Sequence, residues 1–373
     1  MSEVFSKVKG NLGFGLMRLP MDGDNVDYKE TCAMADAFLD AGFNYFDTAH
    51  GYIGGKSEIA FKDCIAKRYP RDKYIIADKL SGWNFETEEE IIPLFESQLE
   101  ACGVEYFDYY LMHSQTAKYF EKYKKCHAYE KVFDLKEQGK ISHVGISFHD
   151  SAEVLDAILT EYPQIEFVQI QFNYADFDDS VVQSKKCYDV CRAHGKPVIV
   201  MEPVKGGKLV NLPDEASRIF AEAGALSNAG YAIKFAASFD GVEMVLSGMS
   251  NMAQMEDNIS FMKDFVPLTD EESKAVEKVR EVFSNLRLIQ CTECRYCVSE
   301  CPSGIPIPDV FTDMNAKAVF NDWAAKGNYK KHTADKGKAS DCIGCGACEA
   351  VCPQKLNIRE LLTKVADTFE KEE

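Results

Sequence analysis

The chain has 373 residues, of which 46% are hydrophobic and 27% are charged, as in globular proteins with a large core. Its formal net charge of −18 argues against binding to nucleic acid or to anionic membranes, because both favour a basic protein surface. The sequence has no apolar run of about 18 residues and no signal-like start, so we expect a cytoplasmic protein without membrane insertion.

Short apolar runs alternate with helical segments before the cysteine-rich end of the chain. Glycines and alternating apolar residues in Val8–Leu19 predict an initial hairpin and a first strand. Seven further strands are predicted at Phe43–Phe46, Tyr74–Ala77, Phe107–Met112, His143–Ile146, Phe167–Gln171, Pro197–Met201 and Met244–Leu246. Eight strands separated by helices predict a (β/α)8 TIM barrel. A doubly wound open sheet is the alternative, but no G-x-G-x-x-G follows the first strand.

Ionisable and polar residues follow several of these predicted strands. Asp47 ends the second, Asp78-Lys79 the third, His113 the fourth and Ser147 the fifth. Because the parallel strands of a barrel end at one rim, we expect these side chains to converge there.

The run Asp47-Thr-Ala-His-Gly-Tyr52, with Ser57-Glu58 shortly after it, resembles the aldo-keto reductase family. The resemblance continues through Asp78-Lys79, Leu111-Met-His113, Gly145-Ile-Ser147 and Gly248-x-Ser250 with Asn258, and covers about residues 8–265. It implies that the chain reduces a small carbonyl substrate, or oxidises the alcohol, with NADPH or NADH.

The same resemblance implies a catalytic tetrad of Tyr52, Lys79, Asp47 and His113. Tyr52 would donate a proton to the developing alkoxide, and the Lys79 ammonium is expected to lower the phenol pKa from about 10. Asp47 would hold Lys79 in place, and His113 would hydrogen-bond the carbonyl oxygen. Each residue also has an interpretation without a catalytic role. Asp47 and Lys79 could form a structural ion pair, Tyr52 could be an aromatic side chain of the core, and His113 could be a hydrogen-bonded histidine at the rim.

The resemblance also implies residues that contact the nicotinamide cofactor. Ser147 and Gln169 would bind the carboxamide, and backbone amides at a helix start would suit phosphate. The remaining predicted contacts lie along the strand ends and the last barrel loop: Met17, Arg18, Met201, Glu202, Pro203, Val204, Gly206, Gly248, Ser250, Gln254, Asp257 and Asn258.

Three positions depart from the family pattern. Met201 stands where an aromatic residue usually stacks on nicotinamide, Phe148 replaces a polar residue, and no arginine lies between Ser250 and Asn258 to bind a 2′-phosphate. The choice between NADPH and NADH therefore stays open. The missing aromatic surface also leaves room for another cofactor such as a flavin, although the sequence contains no flavin-binding motif. Candidate pocket side chains near the strand ends are Trp83, Tyr119, Phe120, Phe148, His149 and Tyr174.

The end of the chain carries a second pattern. We expect residues 1–266 to form the barrel, 267–287 a linking helix that opens with a Thr269–Glu272 capping box, and 288–373 a second domain. In that domain C-x2-C-x2-C-x3-C-P occurs twice, from Cys291 to Cys301 and from Cys342 to Cys352. Helices are expected at Asp309–Phe320, Trp323–Lys326 and Asn357–Glu370.

Two copies of this spacing resemble the bacterial ferredoxins that hold two [4Fe–4S] clusters. In that arrangement the fourth cysteine of each run ligates the other cluster. The resemblance therefore implies one cluster on Cys291, Cys294, Cys297 and Cys352, and a second on Cys342, Cys345, Cys348 and Cys301. A zinc ribbon would leave four of the eight thiols idle, and a disulfide framework would need an exported protein.

The combination predicts an iron–sulfur oxidoreductase of the aldo-keto reductase type whose clusters exchange electrons with a ferredoxin-like partner or with a bound cofactor. Two alternatives remain at this point. One is a ferredoxin-driven reductase that uses no nicotinamide and is assisted by a flavin, since flavins convert single electrons to pairs. The other is a redox-sensing or electron-carrying protein with vestigial catalysis.

Overall fold

A computed structural model describes residues 2–179, 182–285, 289, 291, 295–320, 324–352 and 355–371. The chain divides into two compact units, the first formed by Met1–Gly206 with Ala229–Ser273 and the second by Gly207–Asn228 with Lys274–Glu373. None of the helices in the described ranges is long and apolar enough to cross a membrane.

The first unit contains a closed barrel of eight parallel strands, which confirms the predicted TIM barrel. The strands, with a short hairpin formed by the second and third, are β1 (Leu12–Gly15), β2 (Met21–Asp22), β3 (Asn25–Val26), β4 (Tyr45–Asp47), β5 (Ile75–Ser81), β6 (Phe107–Gln115), β7 (Ile141–Phe148), β8 (Phe167–Gln171), β9 (Val198–Met201) and β10 (Val242–Ser247). Around the barrel the order is β1, β10, β9, β8, β7, β6, β5, β4.

The prediction of a hairpin in Val8–Leu19 was wrong. That stretch holds β1 and a single 3-10 turn, and the antiparallel hairpin β2–β3 follows it. The misleading signal came from Gly13, which serves packing: a Cβ there would lie 2.6 Å from Leu246 Cδ2. Gly23, at φ +57°, supports the real hairpin turn.

Sixteen α-helices are described along the chain. They are α1 (Tyr28–Asp40), α2 (Lys56–Phe61), α3 (Ile91–Cys102), α4 (Ala117–Lys125), α5 (Ala128–Glu137), α6 (Ala152–Glu161), α7 (Ser184–Ala193), α8 (Asp214–Ala223), α9 (Asn228–Ala237), α10 (Met252–Met262), α11 (Asp270–Asn285), α12 (Tyr296–Ser299), α13 (Ile307–Phe320), α14 (Ala325–His332), α15 (Ala347–Ala350) and α16 (Ile358–Phe369). The capping box that precedes α11 is present, since Glu272 N donates to Thr269 Oγ1 and Thr269 N donates to Glu272 Oε2.

The interior of the barrel is packed with large side chains at the end opposite the strand carboxyl termini. Tyr45, Tyr109 and Phe167 lie in one buried cluster with Phe5 from the N-terminal segment. Tyr109 Oη donates to Val4 O at 2.7 Å, which fastens that segment across the barrel. Because this end is sealed by packing, open space remains at the other rim.

The second unit has its own apolar core. Ile305, Phe311, Tyr329 and Phe369 are buried in it together with Cys297 and Cys348. Four other cysteines of the predicted ligand sets are partly buried and pack against it: Cys291, Cys301, Cys342 and Cys352. The helices expected at Asp309–Phe320 and Asn357–Glu370 are present as α13 and α16. The start of the expected helix Trp323–Lys326 and the end of the expected linking helix 267–287 both lie outside the described residues.

Candidate active site

Lys79 and Asp47 form an ion pair inside the barrel. Lys79, in the middle of β5, is fully buried, and its Nζ donates to Asp47 Oδ1 at 2.6 Å and to Thr48 O at 2.6 Å. Burial alone would lower the pKa of Lys79, but Asp47 and Tyr52 together raise it. Burial raises the pKa of Asp47, and the ammonium opposes that effect. The pair therefore presents a fixed ammonium at the rim.

Tyr52 lies directly over this ammonium. It opens a 3-10 turn (Tyr52–Gly55) after β4, and Lys79 Nζ lies 4.9 Å from the centroid of its ring. Burial raises the pKa of Tyr52 above its ordinary value, and the effect of Lys79 only partly offsets it. The expected net lowering is therefore not found, because desolvation outweighs the ammonium in this structure. At neutral pH the phenol carries its proton.

The loop that carries Tyr52 is held from behind by hydroxyl groups. Thr48 Oγ1 and Ser57 Oγ are 2.7 Å apart, and Ser57 Oγ donates to Leu16 O at 3.0 Å. His50 Nδ1 lies 3.0 Å from the buried Glu58 carboxylate. These contacts fix the position of the phenol relative to Lys79.

His113 lies on the next strand around the barrel. The pairing of β6 with β7 shifts register between Met112 and Gln115, and Ser114 has a φ of +55°. This bulge sets the direction of the His113 side chain. Ser81 faces His113 across the β5–β6 pair, and Ser81 Oγ lies 2.7 Å from His113 Nδ1.

Burial, with smaller contributions from Lys79 and His149, holds the pKa of His113 well below its usual range. The ring is therefore neutral at pH 7. With Nδ1 bonded to Ser81, the other ring nitrogen, Nε2, is left to contact a ligand. The His113 ring centroid lies 6.0 Å from that of Tyr52 and 4.9 Å from that of Trp83.

Tyr52, Asp47 and His113 line one cleft of about 430 Å³ at the carboxyl ends of the strands. Lys79 lies beneath it. The predicted cofactor residues that also line this cleft are Met17, Arg18, Ser147, Gln169, Met201, Glu202 and Gly248. Of the aromatic and histidine candidates for the pocket, Trp83 and His149 line it, whereas Phe120, Phe148 and Tyr174 are buried in the core.

Ser147 and Gln169 are directly opposed across the β7–β8 pair. Ser147 Oγ accepts a hydrogen bond from Ser114 N at 2.7 Å, which leaves its own hydroxyl proton to be donated. Gln169 Nε2 lies 3.5 Å from Met201 Sδ, and its buried Oε1 has no partner among the residues that the structure describes. One donor and one acceptor are therefore available side by side, which is the pair that a carboxamide needs.

Several predicted cofactor residues do not line this cleft. They are Pro203, Val204, Gly206, Ser250, Gln254, Asp257 and Asn258. Three of them form a local hydrogen-bond network at the start of α10. Ser250 N donates to Gln254 Oε1, and Asn258 Nδ2 donates to Gln254 O. Lys205, which lies between the predicted contacts Val204 and Gly206, pairs with Asp176.

The second unit places four sulfur atoms around one small cavity. Its lining includes Cys301, Cys342, Cys345 and Cys348, the four residues predicted as one ligand set. Cys301 thus joins the later run of cysteines although it lies about 40 residues earlier. Four thiols around one space fit a tetrahedral or cubane metal group.

The other predicted ligand set is described in part. Cys297 is buried, and Cys291 and Cys352 pack against the same apolar core. Cys294 lies outside the described residues. Five of the predicted ligands are free thiols and are therefore not diverted into disulfides: Cys301, Cys342, Cys345, Cys348 and Cys352.

Sequence reasoning missed the residues that position the tetrad. Ser81 follows Lys79 by two positions on the same strand, so strand alternation places both side chains on one face. That periodicity could have identified Ser81. The His50–Glu58 contact had no such signal, because it joins a loop to a buried helix residue.

Comparisons with known proteins agree with this geometry. The model of the Aldo/keto reductase family matches residues 11–281, and that of the 4Fe-4S dicluster domain matches residues 290–357. Among curated proteins, the uncharacterized oxidoreductase YqkF of Bacillus subtilis (strain 168) is 25% identical over 298 residues, covering 71% of this chain and 91% of that protein. An aldo-keto reductase of Gibberella moniliformis is 29% identical over 172 residues, covering 42% of this chain and 51% of that protein.

Solved structures share the barrel. An aldo-keto reductase from Klebsiella pneumoniae in complex with NADPH has a TM-score of 0.60 at 18% identity, covering 72% of this chain and 90% of that one. The holo form of an aldo-keto reductase from Bacillus halodurans has a TM-score of 0.58 at 24% identity, covering 72% and 91%. From its sequence match and its fold, this chain belongs to the aldo/keto reductase family and is an oxidoreductase with a C-terminal, ferredoxin-like 4Fe-4S dicluster domain.

Proposed function

We propose that the barrel reduces a small carbonyl compound, or oxidises the corresponding alcohol, with a nicotinamide cofactor at the Tyr52 cleft. The convergence of Tyr52, Lys79, Asp47 and His113 at this one rim carries the proposal. A phenol, an ammonium and a neutral imidazole together supply what a carbonyl oxygen needs as it gains negative charge.

In this proposal His113 orients the substrate through Nε2, because Ser81 occupies its Nδ1. Tyr52 then donates its proton to the carbonyl oxygen as negative charge develops there. The Lys79 ammonium, held by Asp47, stabilises the phenolate that remains. The raised pKa of Tyr52 keeps the acid in its protonated form before the reaction.

A bound nicotinamide would supply the hydride. We assign its carboxamide to the Ser147 hydroxyl as donor and to Gln169 Oε1 as acceptor, since that buried oxygen has no protein partner in the described parts of the chain. Met17, Arg18, Met201 and Glu202 would border the same half of the cofactor. A structure of the same fold, the Klebsiella pneumoniae aldo-keto reductase, is a complex with NADPH, which supports a nicotinamide as the cofactor.

The second unit would hold two [4Fe–4S] clusters on the ligand sets given above. The cavity shared by Cys301, Cys342, Cys345 and Cys348 supports one of them, and the repeated spacing supports the other. Such clusters supply one-electron transfer, so we propose electron exchange with a ferredoxin-like partner.

A ferredoxin-driven reaction without nicotinamide is the second candidate, and Met201 favours it. A thioether in contact with Gln169 Nε2 replaces the flat aromatic surface expected beneath the nicotinamide. A flavin would then be required to pair single electrons.

An anaerobic titration of the iron-replete protein with NADH and then NADPH distinguishes the two candidates. Bleaching of the cluster absorbance and an EPR signal after either nucleotide would support the nicotinamide route. Reduction by dithionite alone, with no nucleotide binding by calorimetry, would favour the ferredoxin route. The acid role is tested separately: Tyr52→Phe should lose carbonyl turnover, and full turnover in that variant would refute it.

A further inference from the structure

Two thiols in the barrel lie next to each other outside the catalytic cleft. Cys32 is in the first turns of α1, and Cys64 is in a π-helical stretch, Lys62–Ala66, that continues α2. Their sulfur atoms are 2.9 Å apart. That separation exceeds a disulfide bond by only about 0.9 Å, so a bond between them requires little movement of either helix.

The backbone around both thiols is held by one arginine. Arg68 donates to Cys32 O at 3.3 Å and to Cys64 O at 3.0 Å, and its guanidinium pairs with Asp36 at 2.7 Å. Cys64 Sγ also lies 3.7 Å from Tyr28 O at the start of α1. Arg68 therefore holds together the backbone segments that carry the two sulfur atoms.

The two thiols differ in accessibility. Cys32 is partly exposed, whereas Cys64 is buried. Burial, reinforced by the contact with Cys32, raises the pKa of the Cys64 thiol. An oxidant from solution therefore reaches Cys32 first, and Cys64 is placed to react with whatever forms there.

We propose that Cys32 and Cys64 are a redox-active pair that closes to a disulfide when it meets a small-molecule disulfide such as oxidised glutathione. The Cys32 thiolate attacks one sulfur of glutathione disulfide and displaces one glutathione thiolate. Cys64 then loses its proton, attacks Cys32 Sγ in the mixed disulfide and displaces the second glutathione. Two protein thiols lose two electrons and two protons, and one glutathione disulfide becomes two glutathione molecules.

The resulting bond would close the chain segment that carries Asp47 and Tyr52. Asp47, Tyr52 and Ser57 all lie between the two cysteines in sequence, and α2 provides the Ser57 hydroxyl that holds the Tyr52 loop. The bond would tie α1 to the far end of α2. We therefore expect oxidation to stabilise the barrel, raising its unfolding temperature by about 5–10 °C.

The test is a thiol–disulfide titration of the full-length, cluster-loaded protein under anaerobic conditions. After equilibration with mixtures of reduced and oxidised glutathione, the sample is quenched in acid, alkylated and digested with trypsin. Cys32 and Cys64 fall in separate tryptic peptides, Glu30–Lys56 and Asp63–Lys67, and each peptide contains no other cysteine. We expect one species that joins both peptides and disappears on reduction with dithiothreitol.

The chain offers an internal control and two informative variants. Cys187 and Cys191, both buried on α7, share the peptide Cys187–Arg192 and should stay alkylated throughout the titration. Cys64→Ser should trap glutathione on Cys32, and Cys32→Ser should leave Cys64 as a thiol. The proposal fails if the wild-type peptides remain separate at every glutathione ratio. It also fails if glutathione accumulates on wild-type Cys32 and Cys64 does not displace it.

Discussion

The barrel rim draws its ionisable groups from strands far apart in sequence, whereas the second unit takes its sulfur atoms from two short loops. At the rim, Lys79, Asp47 and His113 already have hydrogen-bond partners within the protein. In the second unit the four sulfur atoms face a shared cavity, and a metal group is what would join them. The barrel site is thus organised by the fold before any ligand binds, and the cluster site depends on its ligand for completion.

This contrast predicts that damage to the rim affects chemistry and barrel stability together. Lys79→Met leaves the Asp47 carboxylate buried without its partner, so we expect the barrel to lose about 3–5 kcal/mol of stability. Carbonyl turnover should fall by at least about 10²-fold as well, since Tyr52 loses its neighbouring charge. Thermal unfolding and steady-state kinetics measure the two effects.

The double variant Asp47→Asn with Lys79→Met separates these effects. Removing both charges should recover much of the lost stability, because no unpaired buried charge remains. Turnover should stay low. If turnover returned with stability, the pair would be structural and its assignment to catalysis wrong.

Damage to the cluster site should instead leave the rim intact. Cys345→Ser removes one sulfur from the shared cavity, so we expect loss of roughly half of the bound iron and a less stable second unit. Nucleotide binding at the barrel should not change. Iron analysis, visible absorbance and nucleotide titration measure this outcome, with Cys126→Ser, a buried barrel thiol, as the control.

A smaller loss of activity is expected from a change at Ser81, which acts on the substrate only by orienting His113. Ser81→Ala frees Nδ1 of His113, so the ring loses the bond that fixes its orientation. We expect kcat/KM to fall about tenfold, as for one lost hydrogen bond. Ser97→Ala removes a comparable hydroxyl, on α3, whose bond is to Leu94 O, and should leave kcat/KM unchanged. Equal losses in the two variants would show that the effect is not specific to His113.

Much of the fold follows from sequence because its signals are local. Seven of the predicted strand runs are periodic apolar segments, and parallel strands in a barrel must end at the same rim. That rule alone brings Lys79 and His113 together. The two cysteine runs were equally recognisable, because the spacing within each run is local, whereas the exchange of the fourth cysteine was implied by the resemblance to ferredoxins.

The rest depends on contacts between residues distant in sequence. The glycine at position 13 makes room for Leu246 of β10, and nothing near it in sequence distinguishes this role from a turn. The raised pKa of Tyr52 also depends on how much of the barrel surrounds the phenol. Burial raises this pKa by more than the nearby Lys79 ammonium lowers it. Ser81 faces His113 because of the register in which β5 pairs with β6, and the sequence of a single strand does not determine that register.

The neutral His113 gives the smallest predicted effect, on the pH dependence of barrel stability. Its pKa is well below the value of about 6.5 in the unfolded chain, so below that pH the unfolded state binds more protons. The stabilisation is therefore complete above about pH 6.5 and is lost as the pH falls toward the folded pKa, at about 1 kcal/mol per pH unit. His113→Gln should flatten this slope between pH 6.5 and 5, as measured by chemical denaturation of the variant and of the wild-type protein. An unchanged slope in His113→Gln would mean that other groups whose pKa burial lowers, such as His149, dominate the acid sensitivity of the barrel.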